Sequence, residues 1–196
     1  FLFFFCCIIF WGLLDRVLEG MKLSGWGRNP VVVSQVRSYA SLVELRHLLK
    51  TPGDLIVHAM GRSYGDSALY SRVLLSRRFN KILEFNPQTG RVTCEAGVTL
   101  ADLIETFLPR GWFLSVVPGT KFISVGGAIA SDVHGKNNHQ QGCFSDWVEA
   151  LSLILPDGQE VQVSRTQNRP LFLATCGGMG LTGVIATATL RLQPIP

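Results

Sequence analysis

"SVGGAIASDVHGKNNHQQG" runs from Ser124 to Gly142, and its reading decides the fold. Metal ligands, a catalytic His-Asp pair and a backbone cradle for a large cofactor all compete for it. His134 and His139 are five apart, so a helix does not put them on one face as it would an i, i+4 pair. No H-E-x-x-H occurs, so no metal is expected. Asp132 and His134 are two apart and would share a face of an extended segment. A Ser-His-Asp triad would still need an exposed nucleophile, no G-x-S-x-G elbow is expected, and so neither is a hydrolase. Two readings stay open. His134 is either a structural hydrogen bonder or a group facing a ligand, and Ser124 to Ala130 is a small-residue helix start that lets backbone approach a cofactor.

Outward from this stretch, two more glycine-rich segments stand out. The three are Gly61 to Asp66, Pro118 to Gly127 and Gly177 to Gly183. Backbone N–H groups in such turns bind phosphate, and three in one chain suggest an extended phosphate-bearing ligand. None spells a P-loop. "GGMGLTG" resembles G-x-G-x-x-G, but it lies at the wrong end of the chain for a Rossmann opening. In "GRSYGD", Tyr64 is either a core aromatic or a phenol facing a bound ring. Arg62 pairs with phosphate or with a surface carboxylate. Asp66 suits a turn cap better than catalysis. Lys136 is either solvated or an electrostatic contact for an anion.

The rest of the chain predicts an alternation of hairpins and helices. "SLVELRHLLK" opens on Ser41 with Glu44 three residues on, a capping box, and stripes Leu42, Leu45, Leu48 and Leu49 along one face. Thr51-Pro52-Gly53 ends that helix. "LIVHAM" reads as a buried strand. "KILEFNPQTGRVTCEAG" and "ALSLILPDGQEVQVS" read as hairpins turning at Asn86–Gly90 and Pro156–Gly158. Thr99 and Asp102 start another helix, with Gly111 behind it. "WFLSVVPGT" reads as a strand, "RPLFLATCGGMGLTG" as a short helix broken by glycines, and "VIATATLRLQPIP" as a strand. The pattern is α+β.

Five long motifs in order carry a resemblance. "LSGWGRNP", "GRSYGDSA", "EAGVTLADLIETFLPRGWFLSVVPGT", "SVGGAIASDVHGKNNHQQGCF" and "CGGMGLTGVI" resemble the flavin domain of the vanillyl-alcohol-oxidase-type FAD-linked oxidases. Within that superfamily they are most similar to the decaprenylphosphoryl-β-D-ribose oxidase branch. The match covers Leu23 to Pro196, and residues 1–20 lie outside it. The resemblance implies a PCMH-type FAD-binding domain of two α/β subdomains clasping an extended FAD. It implies that Gly61, Arg62, Ser63, Tyr64, Gly65, Asp66 and Ser67 wrap the pyrophosphate. Gly119, Ser124, Val125, Gly126 and Gly127 follow, with Ser131, Asp132, Val133 and His134 against the flavin. Gly183, Val184 and Ile185 fall near the adenine end. Some relatives attach FAD covalently through a histidine in the loop that here carries Tyr64, so the flavin is expected to be non-covalent.

The same resemblance implies hydride transfer from a sugar carbinol to flavin. His134 and Lys136 would then be the catalytic and electrostatic groups on the substrate side. The substrate would be a small-molecule or lipid-linked sugar alcohol. Rival expectations are an aldonolactone or alditol oxidase, and a flavin-binding module without catalysis. A downstream NAD-dependent reductase is a conceivable partner. Family members continue into a substrate domain that this sequence does not include.

Composition narrows the field. The 196 residues are 47% hydrophobic and 16% charged, which suits a folded domain and not a disordered chain. Net charge is +4, with Arg77-Arg78 as the one adjacent basic pair, so no nucleic-acid stripe is expected. Five cysteines (Cys6, Cys7, Cys94, Cys143, Cys176) include no C-x-x-C, which favours reduced thiols and a cytoplasmic setting. Phe1 to Leu14 is apolar but shorter than the ~20 residues of a membrane span. Three readings of it compete: sequence upstream of a start at Met21, an interfacial anchor giving membrane association, or the end of a membrane segment.

Overall fold

A computed structural model describes residues 18–195. The apolar run Phe1–Leu14 lies outside the described residues. Strand β1 (Leu18–Ser24) already runs through Met21, so the paired structure begins before that methionine.

Two larger sheets and a two-stranded pair build the described residues. The first has the order β1-β2-β4-β3, with β2 at Val31–Ser38, β3 at Ile56–His58 and β4 at Arg72–Leu75. β1 runs antiparallel to β2, whereas β2 and β3 both run parallel to β4. Between β2 and β3 lies α1 (Leu42–Leu49). Ser41 Oγ accepts from Glu44 N at 3.2 Å, as the capping-box spacing predicts. The return bond lands one residue early, with Ala40 N donating to Glu44 Oε2 at 2.7 Å. Leu45 and Leu48 are the buried stripe.

The second sheet is wholly antiparallel, in the order β5-β6-β10-β8-β9. Its hairpins are the two the turn residues predict. β5 (Ile82–Asn86) turns into β6 (Arg91–Glu95), and Asn86 Oδ1 accepts from Gln88 N and Thr89 N. β8 (Val148–Ile154) turns into β9 (Glu160–Ser164). Between β6 and β8 come α2 (Leu100–Phe107), α3 (Val125–Ala130) and α4 (Asn138–Gln141). α2 has the complete Thr99–Asp102 box, and Gly111 takes the left-handed φ of +79° behind it. α5 (Arg169–Thr175) leads through a glycine-rich turn into β10 (Val184–Arg191).

One expected strand is mostly absent. In "WFLSVVPGT" only Trp112–Phe113 (β7) finds a partner, in β11 (Gln193–Pro194). Leu114, Ser115 and Val116 are buried without a ladder. Their hydrophobicity serves packing and not strand pairing.

The main core packs α2 and α3 on the second sheet, with Leu100, Leu103, Phe107, Val125 and Ile129 among its members. A smaller cluster crosses between sheets. It joins Tyr39, Leu45, Leu74 and Phe79 of the first unit to Ile154, Val184 and Ala186 of the second. Arg46 reinforces this seam from α1, bonding Gly158 O at 3.3 Å and Glu160 Oε2 at 2.7 Å.

Candidate functional site

A cleft enclosing about 890 Å³, open mouth included, lies between the two sheets. The first sheet supplies Val57 and His58 at the end of β3 and Ser76 just past β4. The second supplies Ala96, Gly183 and Ile185. β3 and β4 are parallel, and both present their carboxyl ends here, where ligands bind in α/β sheets.

All three glycine-rich segments reach this cleft. Gly61, Arg62, Ser63 and Ser67 line it from the first; Ser124, Gly126 and Gly127 from the second; Gly180 and Gly183 from the third. Their chemistry differs. Among the described residues, no acceptor takes a backbone hydrogen bond from any residue of Gly61–Ser67. Ser63 Oγ is also buried there without a partner. A loop with a run of uncommitted N–H groups and an orphaned hydroxyl suits an anion.

The start of α3 behaves otherwise. Val125 N donates to Val98 O at 2.7 Å, Gly126 N to Ala96 O at 2.8 Å, and Gly127 N to Ser124 Oγ at 3.1 Å. These donors are taken, so the segment is not a phosphate-binding helix end. Its contribution is close approach. A Cβ on Gly126 would sit 3.0 Å from Ala96 Cβ and 3.2 Å from Ala96 O, so a larger residue would have to push α3 away from the residue that follows β6.

Several expected site residues stand apart from the cleft. Tyr64 is 82% exposed and so is not a core aromatic; Gly65, Asp66 and Gly119 are also exposed. Val125 and Val184 alternate inward to the core. Ser131 and Val133 line the cleft, but Asp132 and His134 do not. The shared-face expectation for that pair fails because Asp132 has φ +40° and the segment is not extended. Its carboxylate instead accepts from Ser145 N at 2.9 Å and Ser145 Oγ at 3.1 Å. His134 and Lys136 are exposed, flanking buried Gly135. Asn137 Nδ2 donates to Ser115 O at 3.1 Å and fixes the loop from below.

Contrary to the expectation of no such elbow, Gly61-Arg62-Ser63-Tyr64-Gly65 does spell G-x-S-x-G, the letters of a hydrolase elbow. The geometry removes that reading. No helix follows the loop, and Ser63 Oγ has no histidine partner.

The residue missed from sequence is His58. It is 2% exposed and ends β3. Its Nδ1 lies 2.9 Å from Ala68 O, which only accepts, so the proton sits on Nδ1. In the neutral ring Nε2 keeps its lone pair. Burial lowers the His58 pKa first, opposed by the Ala68 bond and helped by the Arg77 charge. The available signal was its position at the carboxyl end of a buried strand. Among the described residues no three His, Cys, Asp or Glu side chains gather as metal ligands.

The FAD binding domain family matches residues 30–164. The chain belongs to that family. Its FAD-binding domain is of the α+β, PCMH type, and FAD is its cofactor. The chain is 36% identical over 181 residues, 88% of its length, to decaprenylphosphoryl-β-D-ribose oxidase of Mycolicibacterium smegmatis. It is 29% identical to D-lactate dehydrogenase of Anaerostipes hadrus, over 93% of this chain and 40% of that protein. To L-gulonolactone oxidase of Scyliorhinus torazame it is 28% identical, over 92% of this chain and 42% of that one. The chain spans about two fifths of the length of these relatives, with 39% for the first. The residues present fit FAD. The amides of Gly61, Arg62, Ser63 and Ser67 and Ser63 Oγ offer donors suited to its pyrophosphate, and the apolar wall of Val57, Ile123, Val133 and Ile185 suits its rings. Among the described residues no helix is long and apolar enough to cross a membrane.

Proposed function

We propose that this chain is the cofactor-binding part of an FAD-dependent oxidoreductase that oxidises a CH–OH group of a sugar-type alcohol. The observation that carries the reading is the run of uncommitted amides at Gly61–Ser67 opening on a cleft between two sheets, in a chain of this family. The 36% relative is named for a lipid-linked ribose and favours a polyprenyl-phosphate sugar. The name of the gulonolactone oxidase supports a second reading, an aldonolactone or alditol. Bound FAD supplies the two-electron acceptor. The chain's own residues hold and shield it. Gly61–Ser67 grip the anionic middle, the glycines of α3 admit the backbone, and Ile123 and Ile185 exclude water. His134 and Lys136 are exposed on the Val133–Asn137 loop, next to the cleft residue Val133. We assign them to the substrate: His134 to hydrogen-bond the reacting hydroxyl, Lys136 to meet a phosphate or developing negative charge.

The flavin is held without a covalent bond. Acid precipitation is expected to release all the yellow colour to the supernatant. In the protein that contains this chain with any further domain it has, anaerobic addition of the right sugar alcohol should bleach the flavin band. His134→Ala should keep the flavin and lose the bleaching. Colour in the pellet would overturn non-covalent binding. Failure of lipid-linked sugars, lactones and alditols alike to bleach would overturn the substrate class. Full bleaching in His134→Ala would remove that residue.

A further inference from the structure

A second cavity, about 1040 Å³ with its open mouth, shares His58, Met60, Gly61 and Arg62 with the FAD cleft and extends from them to β1 and the turn after it. We infer that it is a separate binding site for a phosphate-bearing ligand. Its charge is one-sided. Lys22, Arg28, Arg62 and Arg77 line it, with His58 at its back, and no aspartate or glutamate does. None of the four cations forms an ion pair with a carboxylate of the described residues.

The cations are positioned and not merely scattered. Arg77 Nε donates to Ala59 O at 2.5 Å, and Arg62 Nη1 donates to Met60 O at 3.0 Å. Each guanidinium is thus tied by one edge, leaving other N–H groups for a ligand. Arg62 also lies 5.5 Å over the Trp26 ring. Arg28 takes a φ of +57°, in a turn closed by Arg28 N to Gly25 O at 3.1 Å. That turn is bound to the FAD loop through Trp26 N to Ser63 O at 2.8 Å. With Arg62 on the loop assigned to FAD, Lys22, Arg28 and Arg77 remain uncompensated on one wall, and a ligand with two or more negative charges removes their repulsion. Arginine forks match phosphate oxygens in pairs, so phosphate is the group this wall recognises.

Two sources carry that chemistry: a soluble phosphate ester such as that of a sugar substrate, and the headgroup of an anionic phospholipid. The second is raised by sequence, because apolar Phe1–Leu14 precedes the strand that carries Lys22. The inference rests on the FAD assignment only in holding the two sites distinct. Flavin content is read by absorbance, so failure of either can be told from the other.

The experiment titrates the FAD-saturated chain with inorganic pyrophosphate by calorimetry. One site is expected, weakening as salt is added. Lys22→Ala/Arg28→Ala should weaken it tenfold or more with flavin content unchanged. Arg28→Lys keeps the charge but not the fork, so it should weaken the site less than the double variant does, and it guards against a folding defect in that variant. Competition with vesicles then identifies the source. Displacement by phosphatidylglycerol but not phosphatidylcholine vesicles supports the site with a headgroup as ligand. Persistence of pyrophosphate binding supports it with a soluble ester. No binding to the FAD-saturated chain, binding only before FAD is added, or unchanged affinity in the double variant overturns the inference.

Discussion

His58 gives the molecule a dependence on acid. Burial of the ring, helped by the Arg77 charge, outweighs the Ala68 hydrogen bond that favours the protonated form, so its folded pKa lies below the ordinary value near 6.5. The unfolded chain therefore binds this proton more readily. The stability due to neutral His58 is complete above about pH 6.5 and is lost as pH falls below it toward the folded value. His58→Gln keeps a donor for Ala68 O and removes the titration. Between about pH 7.5 and 5.5 the wild-type melting temperature should fall further than that of His58→Gln. Parallel curves would show that His58 does not titrate across this range.

The loop proposed to hold the FAD pyrophosphate, Gly61–Ser67, has its shape set by a neighbour. Gly25 is buried beneath it, and a Cβ there would lie 2.5 Å from Ser63 O and 2.9 Å from Gly65 O. Both contacts are backbone carbonyls, so relief requires moving the loop itself. Gly25→Ala should cost about 1–3 kcal/mol of stability by overpacking. It should also weaken FAD at least tenfold in a flavin-fluorescence titration while the far-ultraviolet dichroism stays native. Wild-type affinity in that variant would detach the loop from cofactor binding. This coupling was not legible in the sequence, although both motifs were. α1 and α2 could be read because Ser41–Glu44 and Thr99–Asp102 are local caps beside local stripes. The β5–β6 and β8–β9 hairpins could be read because their turns are local chemistry. Leu114–Val116 could not, since strand or packed coil depends on whether a distant partner arrives. His58 and Ser76 escaped for the same reason, because the parallel pairing of β3 with β4 creates their end of the cleft. Within the glycine motifs, sequence marked the approach of backbone. It did not show that α3 spends its amides on Val98 and Ala96 while the Gly61 loop keeps its own.

At the scale of the molecule, the cleft exists because two sheets meet at a narrow seam. Ile154, fully buried, joins Val184 and Ala186 to Leu45, Leu74 and Phe79 across that seam. Gly183 lines the cleft and lies directly against Ile154, its hypothetical Cβ 3.0 Å from Ile154 O. FAD contacting both walls should therefore stabilise the seam, and the seam should set the spacing FAD meets. Ile154→Ala removes side-chain volume from it at a cost of about 2–5 kcal/mol. FAD at a hundredfold excess over its dissociation constant returns about 2.7 kcal/mol. Phe172→Ala, in the second-sheet core and away from the seam, supplies the comparison because it costs a similar ~3–5 kcal/mol. Both variants should melt earlier without FAD. Ile154→Ala should also bind FAD more weakly, because its walls no longer hold their spacing, whereas Phe172→Ala should bind it as the wild type does. Equal losses of affinity in the two would mean that general destabilisation, and not the seam, sets the cleft.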